Sequence, residues 1–538
     1  MKNIRLIRIA VMMTIMLSVI TACDVDRVDT EPIALTEAAV FDEPGDYYRF
    51  TLGIYCKMVD FYAPQKDLYE LHHLPGDDIS YDNGSIGFET FQGLTAGNSR
   101  FRDYYDGLYE MNLRANILLE KTEEDPGLWD AGDANQYEYY RGEALFFRAF
   151  AHFRLYVLFG TAPVVTERVN LIENAHIPRS SGVELLDQAI ADWEAAAPLL
   201  PQSWSAEYVG RATKSSAYGM LMRAYMLRGD YAGSSSDYQA VLTNFNLITD
   251  KSLVSNYLDN FSLWTENNSE SIFEFQANIA PNVDNIWLAN DGNNGAAGWA
   301  VVETMGATWR FFSTVQNAGY GGAPWMVTPK VLALMPDPRL DSLVNPGDDV
   351  FLKYGRPDLD VTNGGPIADG GFGDANGTNS NSSINNARIM RYSEALLLAA
   401  EATLLTGGTV ANAIGFVNQV RERADDWSAG GTGTGVNVPP LDPNTLTGGA
   451  DGTAMDAVQT ERLIELCGEE FVRWTDIRRW HARGDADYDL STWDGSANEF
   501  STRQSGFGFS YPRDLLWPIP SEEVQRNNAI NANNTGWD

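Results

Sequence analysis

The sequence predicts a mainly α fold, in which paired helices stack in the manner of tetratricopeptide repeats around a long irregular region with a few short strands. Three observations predict it. Apolar residues recur at helical spacing in several segments, and those segments come in pairs. Small residues (Ala149, Ala217, Ala224, Ala399, Ala402) recur where neighbouring helices must approach closely. From about Asn260 to Ser383 the chain is instead rich in Gly, Asn, Pro and Trp, with little helical period.

The chain opens on Lys2, Arg5 and Arg8, then an apolar run from Ile9 to Ile20, then Thr21, Ala22 and Cys23. Charged, apolar and small-residue parts in that order are the layout of a secretory signal. The apolar part is too short for the roughly 20 residues that cross about 30 Å of hydrocarbon. A thiol directly after the small pair is the nucleophile that lipid attachment needs, and "ITAC" resembles the lipobox of bacterial lipoproteins. Residues 1–22 are therefore expected to be a signal peptide, removed when Cys23 is lipidated. Two or more acyl chains anchor a protein stably, at about 0.8 kcal/mol per buried methylene.

About 515 residues follow Cys23, enough for a substantial core. The apolar fraction of 44% and the mean hydropathy of -0.26 describe a globular, water-soluble body. A net charge of -35 repels nucleic acid and anionic lipid, which excludes both as main partners. Besides Cys23 there are Cys56 and Cys467, whose pairing the sequence leaves open. The five histidines form no His-x-x-x-His or Cys-x-x-Cys pattern, so neither a metal site nor a cofactor is expected.

Tyr104, Leu108, Met111, Ala115 and Leu118 mark one face of the first helix. Its partner, "RGEALFFRAFAHFRLYVLFG", has so broad an apolar face that it must be buried on most sides, and Gly160 is its expected terminator. The second pair opens with Ser181 and Glu184 at capping-box spacing; its other helix starts at the cap Thr213 and stops at Gly229. The third pair is "NARIMRYSEALLLAAEATLLTGG" with "TVANAIGFVNQVRERA". In the last region, "DAVQTERLIELCGEEFVRWTDIRRW", Leu463, Leu466, Glu470, Trp474 and Ile477 fall on one face. Within the irregular middle, "ESIFEFQAN" alternates like a strand.

These blocks, in this order and behind a lipobox, resemble the SusD/RagB family of Bacteroidetes outer-membrane nutrient-uptake lipoproteins. "YDGLYEMNLRANILLEK" is similar to the family's Tyr-x-x-Ile-x-x-x-Asn helix, with Asn116 in the Asn place. "RGEALFFRAFAHFRLYVLFGTAPVV" is similar to its Glu-Ala-x-Phe-Leu-Arg-Ala helix and the Phe-Gly-x-x-Pro turn. "RYSEALLLAAEA", "VNQVRERA", "ERLIELCGEEFVRWTDIRRW" and "LLWPIPSEEVQRNNAINANNTGW" look like four further blocks. The stretch "LCGEEFVRW" departs from the usual pattern at Cys467 and Gly468. These blocks read as scaffold. Asn116 is expected to bond neighbouring backbone, and Glu143 to pair with Arg148. Arg473, Asp476, Arg478 and Arg479 are expected to form a lattice around Trp474 and Trp480.

The resemblance implies about four helix pairs supporting an irregular ligand-binding region. It gives an N-terminal part at 23–260 with pairs 1 and 2, a loop-rich region at 261–385, and a C-terminal part at 386–538 with pairs 3 and 4. It implies a glycan ligand, a SusC-like TonB-dependent outer-membrane transporter as partner, and a lipid-anchored position facing outward. The acid-rich stretch after Cys23 is similar to the signal directing such lipoproteins to the cell surface.

Sugar rings offer apolar C–H faces and hydroxyl edges, so a site for them needs aromatic platforms beside polar groups. The middle supplies Trp287, Trp299, Trp309, Tyr320 and Trp325 interleaved with Asn and Gly. An upstream loop offers His72, Asp77, Asp78, Tyr81 and Asn83. Candidate platforms are the five aromatics; Asp78 and Arg310 are the candidate hydrogen-bonding partners. For Asp77 and Asp78 a turn or a helix cap is the competing reading. No Gly-x-Ser-x-Gly, His-Glu-x-x-His or P-loop occurs, and the chain is read as a binder without catalysis. The alternatives are a scaffold that binds peptide or protein and, further off, a carbohydrate-cleaving lipoprotein, which would need two carboxylates across a cleft.

Overall fold

The computed structural model describes residues 41–62, 70–81, 87–124, 134–276, 325–335, 337–344, 353, 386–427, 437–449, 452–493 and 507–538. Cys23 lies outside them. The chain divides into an N-terminal unit, Met1–Tyr47, and a body, Tyr48–Asp538.

The expected stripe of Tyr104, Leu108, Met111, Ala115 and Leu118 is wholly buried in α1, Ser99–Glu124. The broad apolar face after it forms α2, Ala134–Phe159, and α1 and α2 pack side by side. The stack continues through α3, Glu184–Leu199, α4, Lys214–Ala232, and α5, Ser235–Leu247, each helix lying against the one before it. After the insert come α6, Tyr392–Leu405, α7, Val410–Trp427, α8, Ala454–Leu466, and α9, Arg473–Arg483. α5 packs on α6, so the stack runs on across the insert, and α9 folds back against α4. Leu396, Leu397, Ile414, Val417, Val458 and Leu466 weld α6, α7 and α8 into one apolar cluster. Each such side chain contributes roughly 1.5–3 kcal/mol on burial.

The course of the helices differs from the sequence expectations at four places. α5 is an additional helix, whose Tyr238 and Val241 are buried. Gly229 does not end α4. A Cβ there would sit 2.6 Å from the Tyr238 ring, so this glycine is a close-approach residue; the turn is made four residues later by Gly233, at φ +67°. "ARIMR", Ala387–Arg391, is not helix but a strand, because its side chains are fixed by distant partners. The last region is two helices. α8 ends at Leu466, and Gly468, at φ +67°, turns the chain, so Leu463 and Trp474 do not share one helix face.

Three short antiparallel ladders are present among the described residues. β1, Ile79–Tyr81, pairs with β3, Trp325–Val327; β2, Ser271–Phe275, pairs with β4, Ala387–Arg391; and β5, Thr447–Gly449, pairs with β6, Gly452–Thr453. The first two tie the insert to the scaffold. Phe275 lies opposite Ala387, so the chain leaves the scaffold beside where it later re-enters, and Trp325 lies opposite Tyr81.

Buried ions lock these joints. Arg391 and Arg423 both bond Glu270 and Glu465, and Arg391 also bonds Glu469. Arg339 reaches Glu461 at 2.6 Å and Glu465 at 3.1 Å, and Lys353 Nζ reaches Glu469 at 2.6 Å. The lattice expected around Trp480 is present. Arg479 and Trp480 Nε1 both donate to Glu401, and Arg479 also meets Asp230 and Asp476.

Asn116 bonds the carbonyls of Val165 and Glu167, as expected. The Glu143–Arg148 pair is corrected. Arg148 grips Asp192 on α3 at 2.7 and 2.8 Å, and Glu143 takes Arg211 at 2.6 and 2.8 Å. Residues five apart on a helix do not share a face, so each turned to a different neighbour. Cys467 is buried with a free thiol, so it is not paired to Cys56.

Candidate ligand-binding site

The loop "LPGDD" runs into β1 beneath the point where the insert returns. Thr328, just after β3, bonds it twice, with N–H donating to Asp78 O at 3.0 Å and Oγ1 to Asp77 O at 2.6 Å. Asp77 then accepts from Arg473 of α9 and from Lys330 Nζ at 2.8 Å. Burial alone would raise the Asp77 carboxyl, but these two cations overcome it and hold the group well below the usual carboxylate range. The insert's return is thereby clamped to α9 by ions as well as by backbone.

Beside this clamp a cavity of about 110 Å³ is lined by Asp77, Lys330, Asp487, Tyr488, Asp489 and Trp493. Trp493 is half-buried. It stacks on Trp474 at 5.9 Å between centroids and meets Phe507 and Phe509 edge-on at 5.3 and 5.0 Å. Aromatic surface next to carboxylates and an ammonium group is what hydroxyl-bearing rings require: a flat apolar face, acceptors, and a donor. A second cavity, of about 160 Å³, lies where the chain leaves for the insert, lined among others by Trp204, Arg211, Asn267 and Glu274. The Arg211 guanidinium lies over Trp204, 3.9 Å from its ring centre, and bonds Glu143.

Of the residues nominated from sequence, Trp287, Trp299, Trp309, Arg310 and Tyr320 lie outside the described residues, as does Asn83. Trp325 is placed by its backbone in β3, opposite Tyr81. Asp78 is 2% exposed, and its Oδ2 accepts the Gly468 N–H at 2.8 Å. It braces the loop against the α8–α9 turn and does not line the cavity. Burial pushes its carboxyl up to about 6, against the pull of that N–H. His72 is buried and stacks on Phe471 at 4.0 Å, a packing role. Sequence reasoning missed Tyr488 and Trp493. The signal was there in "DADYDLSTWDGS", where aromatics alternate with acids and small polar residues as they do in the insert.

Two family descriptions match, at separate parts of the chain: "SusD family" at residues 352–537 and "Starch-binding associating with outer membrane" at residues 74–226. The chain belongs to the SusD/RagB family. A SusD-like protein of Formosa agariphila is 25% identical over 437 residues, covering 75% of each chain. A solved structure described as a laminarin-binding SusD-like protein superimposes with a TM-score of 0.66 at 20% identity, over 92% of this chain and 99% of that one. Another, described as being with xylogluco-oligosaccharide, gives 0.64 at 18% identity, over 90% and 97%. These likenesses establish the SusD fold, with its helical stack. No helix among the described residues is long and apolar enough to cross a membrane.

Proposed function

We propose that this SusD-family protein captures a glycan at the cell surface without cleaving it and passes it to a SusC-like TonB-dependent outer-membrane transporter. Lipid on Cys23 anchors it in the outer membrane. Region 261–385 carries the ligand, with platforms among Trp287, Trp299, Trp309, Tyr320 and Trp325 and a polar contact from Arg310. The observation that carries this reading is the insert itself. Its sequence holds four tryptophans and a tyrosine between 287 and 325, and the last of them pairs by backbone with β1, shortly before Lys330, which lines the Tyr488–Trp493 cavity. Of two structures of the same fold, one is described as laminarin-binding and the other as being with xylogluco-oligosaccharide, which supports the glycan class.

The test is calorimetry of the lipid-free protein against a panel of purified polysaccharides. Binding to at least one is expected, weakened about tenfold by a Trp→Ala change between 287 and 325. Unaltered affinity in every such variant would sink the site assignment. Release of reducing sugar from the bound glycan would sink the non-catalytic reading, and binding of peptides alone would favour the peptide-binding alternative.

A further inference from the structure

A third cavity, of about 380 Å³, lies between α1, the segment 163–177 and the short helix Ser521–Arg526. It shares no lining residue with the two cavities above and is larger than either. Its size falls in the range of small-molecule sites, roughly 300–1,000 Å³. Its lips are aliphatic and left open to solvent: Leu113 is 42% and Val169 36% exposed.

Most polar groups in it are already committed. Asn116 Nδ2 bonds Asn112 Oδ1 at 2.8 Å, and the Tyr109 hydroxyl donates to Pro163 O at 2.7 Å. The Tyr105 hydroxyl is the exception. Tyr105 lines the cavity and is 2% exposed; its Oη lies beside the Tyr109 hydroxyl, whose proton goes to Pro163 O, and makes no hydrogen bond of good geometry. Buried tyrosine hydroxyls normally find a partner. Three carboxylates, Asp106, Glu167 and Glu523, also line the space, and among the described residues no lysine or arginine does. Neighbouring arginines are spent elsewhere: Arg148, which donates to Asn116 Oδ1 at 3.0 Å, grips Asp192. Arg102 bonds Asp103 and Glu522, and Arg179 donates to the carbonyls of Thr161 and Ala532. Burial pushes the Asp106 carboxyl up; Arg102 opposes this, while Asp103, Glu522 and Glu523 add to it.

We infer that this cavity binds an organic cation, an ammonium or guanidinium group carried on an apolar stem. The stem lies along Leu113, Val165, Val169 and Ile177. The charged head meets the carboxylates and donates to the Tyr105 oxygen. Three carboxylates exclude an anion, and the aliphatic walls suit hydrocarbon better than a hydroxyl-studded ring.

The test is titration of the purified protein with n-hexylammonium, n-hexanol and hexanoate, followed by calorimetry or ligand-detected NMR. Saturable binding of the amine is expected, at least about tenfold tighter than the alcohol, with none of the carboxylate. Glu523→Gln keeps the acceptor for Asn527 and is expected to weaken the amine about tenfold. Leu113→Lys, at an exposed position, supplies a tethered competitor and is expected to do the same. Tyr105→Phe is expected to weaken it while leaving the melting temperature in place. Polysaccharide affinity is expected to stay unchanged in all three variants, which separates this inference from the glycan reading. A capped Ala-Lys-Ala peptide distinguishes the sources. Binding of the peptide points to a lysine side chain, and binding of hexylammonium alone to a free amine. Equal binding of amine and alcohol, no saturable binding, or amine affinity untouched by both Glu523→Gln and Leu113→Lys would overturn the inference.

Discussion

Arg473 on α9 grips Asp77 in the loop before β1, with Nη2 3.0 Å from Oδ2 and both side chains buried. The pair joins two parts of the chain that the family descriptions match separately, at 74–226 and 352–537. Removing Asp77 leaves the buried Arg473 charge stranded. Asp77→Ala is therefore expected to cost about 3–5 kcal/mol, read from urea unfolding. Adding Arg473→Met to it is expected to restore part of that loss, because the double variant buries no lone charge. A double variant less stable than Asp77→Ala would show that the pair contributes by packing rather than by charge.

Asp78, the next residue, should report on pH in the opposite sense from its neighbour. Burial lifts its carboxyl to about 6, above its ordinary value of 3.8. Its favourable contribution is complete below about pH 4 and is lost as pH rises through about 6. Asp78→Asn cannot ionise and keeps an oxygen for the Gly468 N–H. The stability difference, variant minus wild type, is expected to move in the variant's favour between about pH 4 and pH 6 and then level off. A difference flat across that window would refute the raised carboxyl.

Helix caps offer a third measurement. Thr213 and Ser216 form a reciprocal box at the start of α4, with each backbone N–H donating to the other's hydroxyl at 3.2 Å. At the start of α3, Glu184 accepts from Ser181 N–H at 2.8 Å, but the Ser181 hydroxyl bonds that same carboxylate and caps no helix N–H. Thr213→Ala is expected to cost about 1 kcal/mol and Ser181→Ala only a few tenths of that. Equal losses in thermal unfolding would contradict the distinction.

The same contrast shows what a sequence states and what it withholds. Period and spacing carry a helix's buried face locally, so Tyr104 to Leu118 in α1 could be read residue by residue. Tyr238, Val241 and Phe245 carried the same signal for α5, but a short Gly- and Ser-rich lead-in hid it. β4 was misread because nothing in "ARIMR" itself forbids helix. Its conformation is set by β2 and by glutamates on α8 and in the turn after it, 74 and 78 positions away in the case of Arg391. The site follows the same rule. Insert tryptophans stand out by composition, whereas Tyr488 and Trp493 gain meaning only once α9 brings them beside Asp77.

The glutamates of α8 and the turn after it supply the last prediction. Glu461, Glu465 and Glu469 step along one side of the chain and receive Arg339, Arg391, Arg423 and Lys353. Glu465 is central, meeting three arginines with no exposure of its own. Burial would raise its carboxyl, but Arg423 and Arg391 hold it well below the usual range. Its contribution is therefore present above about pH 4 and fades only in stronger acid. Glu465→Gln keeps the shape and removes the charge, leaving those arginines undercompensated, at an expected cost of about 3–5 kcal/mol. Arg421→Ala, at the partly exposed edge where Arg421 meets Glu461 at 3.0 Å, is expected to cost under about 1 kcal/mol. Because Arg339 and Lys353 lie on the returning side of the insert, Glu465→Gln should also loosen that segment first. Limited proteolysis is expected to cut near residues 325–353 in the variant under conditions that spare the wild type. A variant as stable as wild type, or one first cut within the helical stack, would show that these charges do not hold the insert in place.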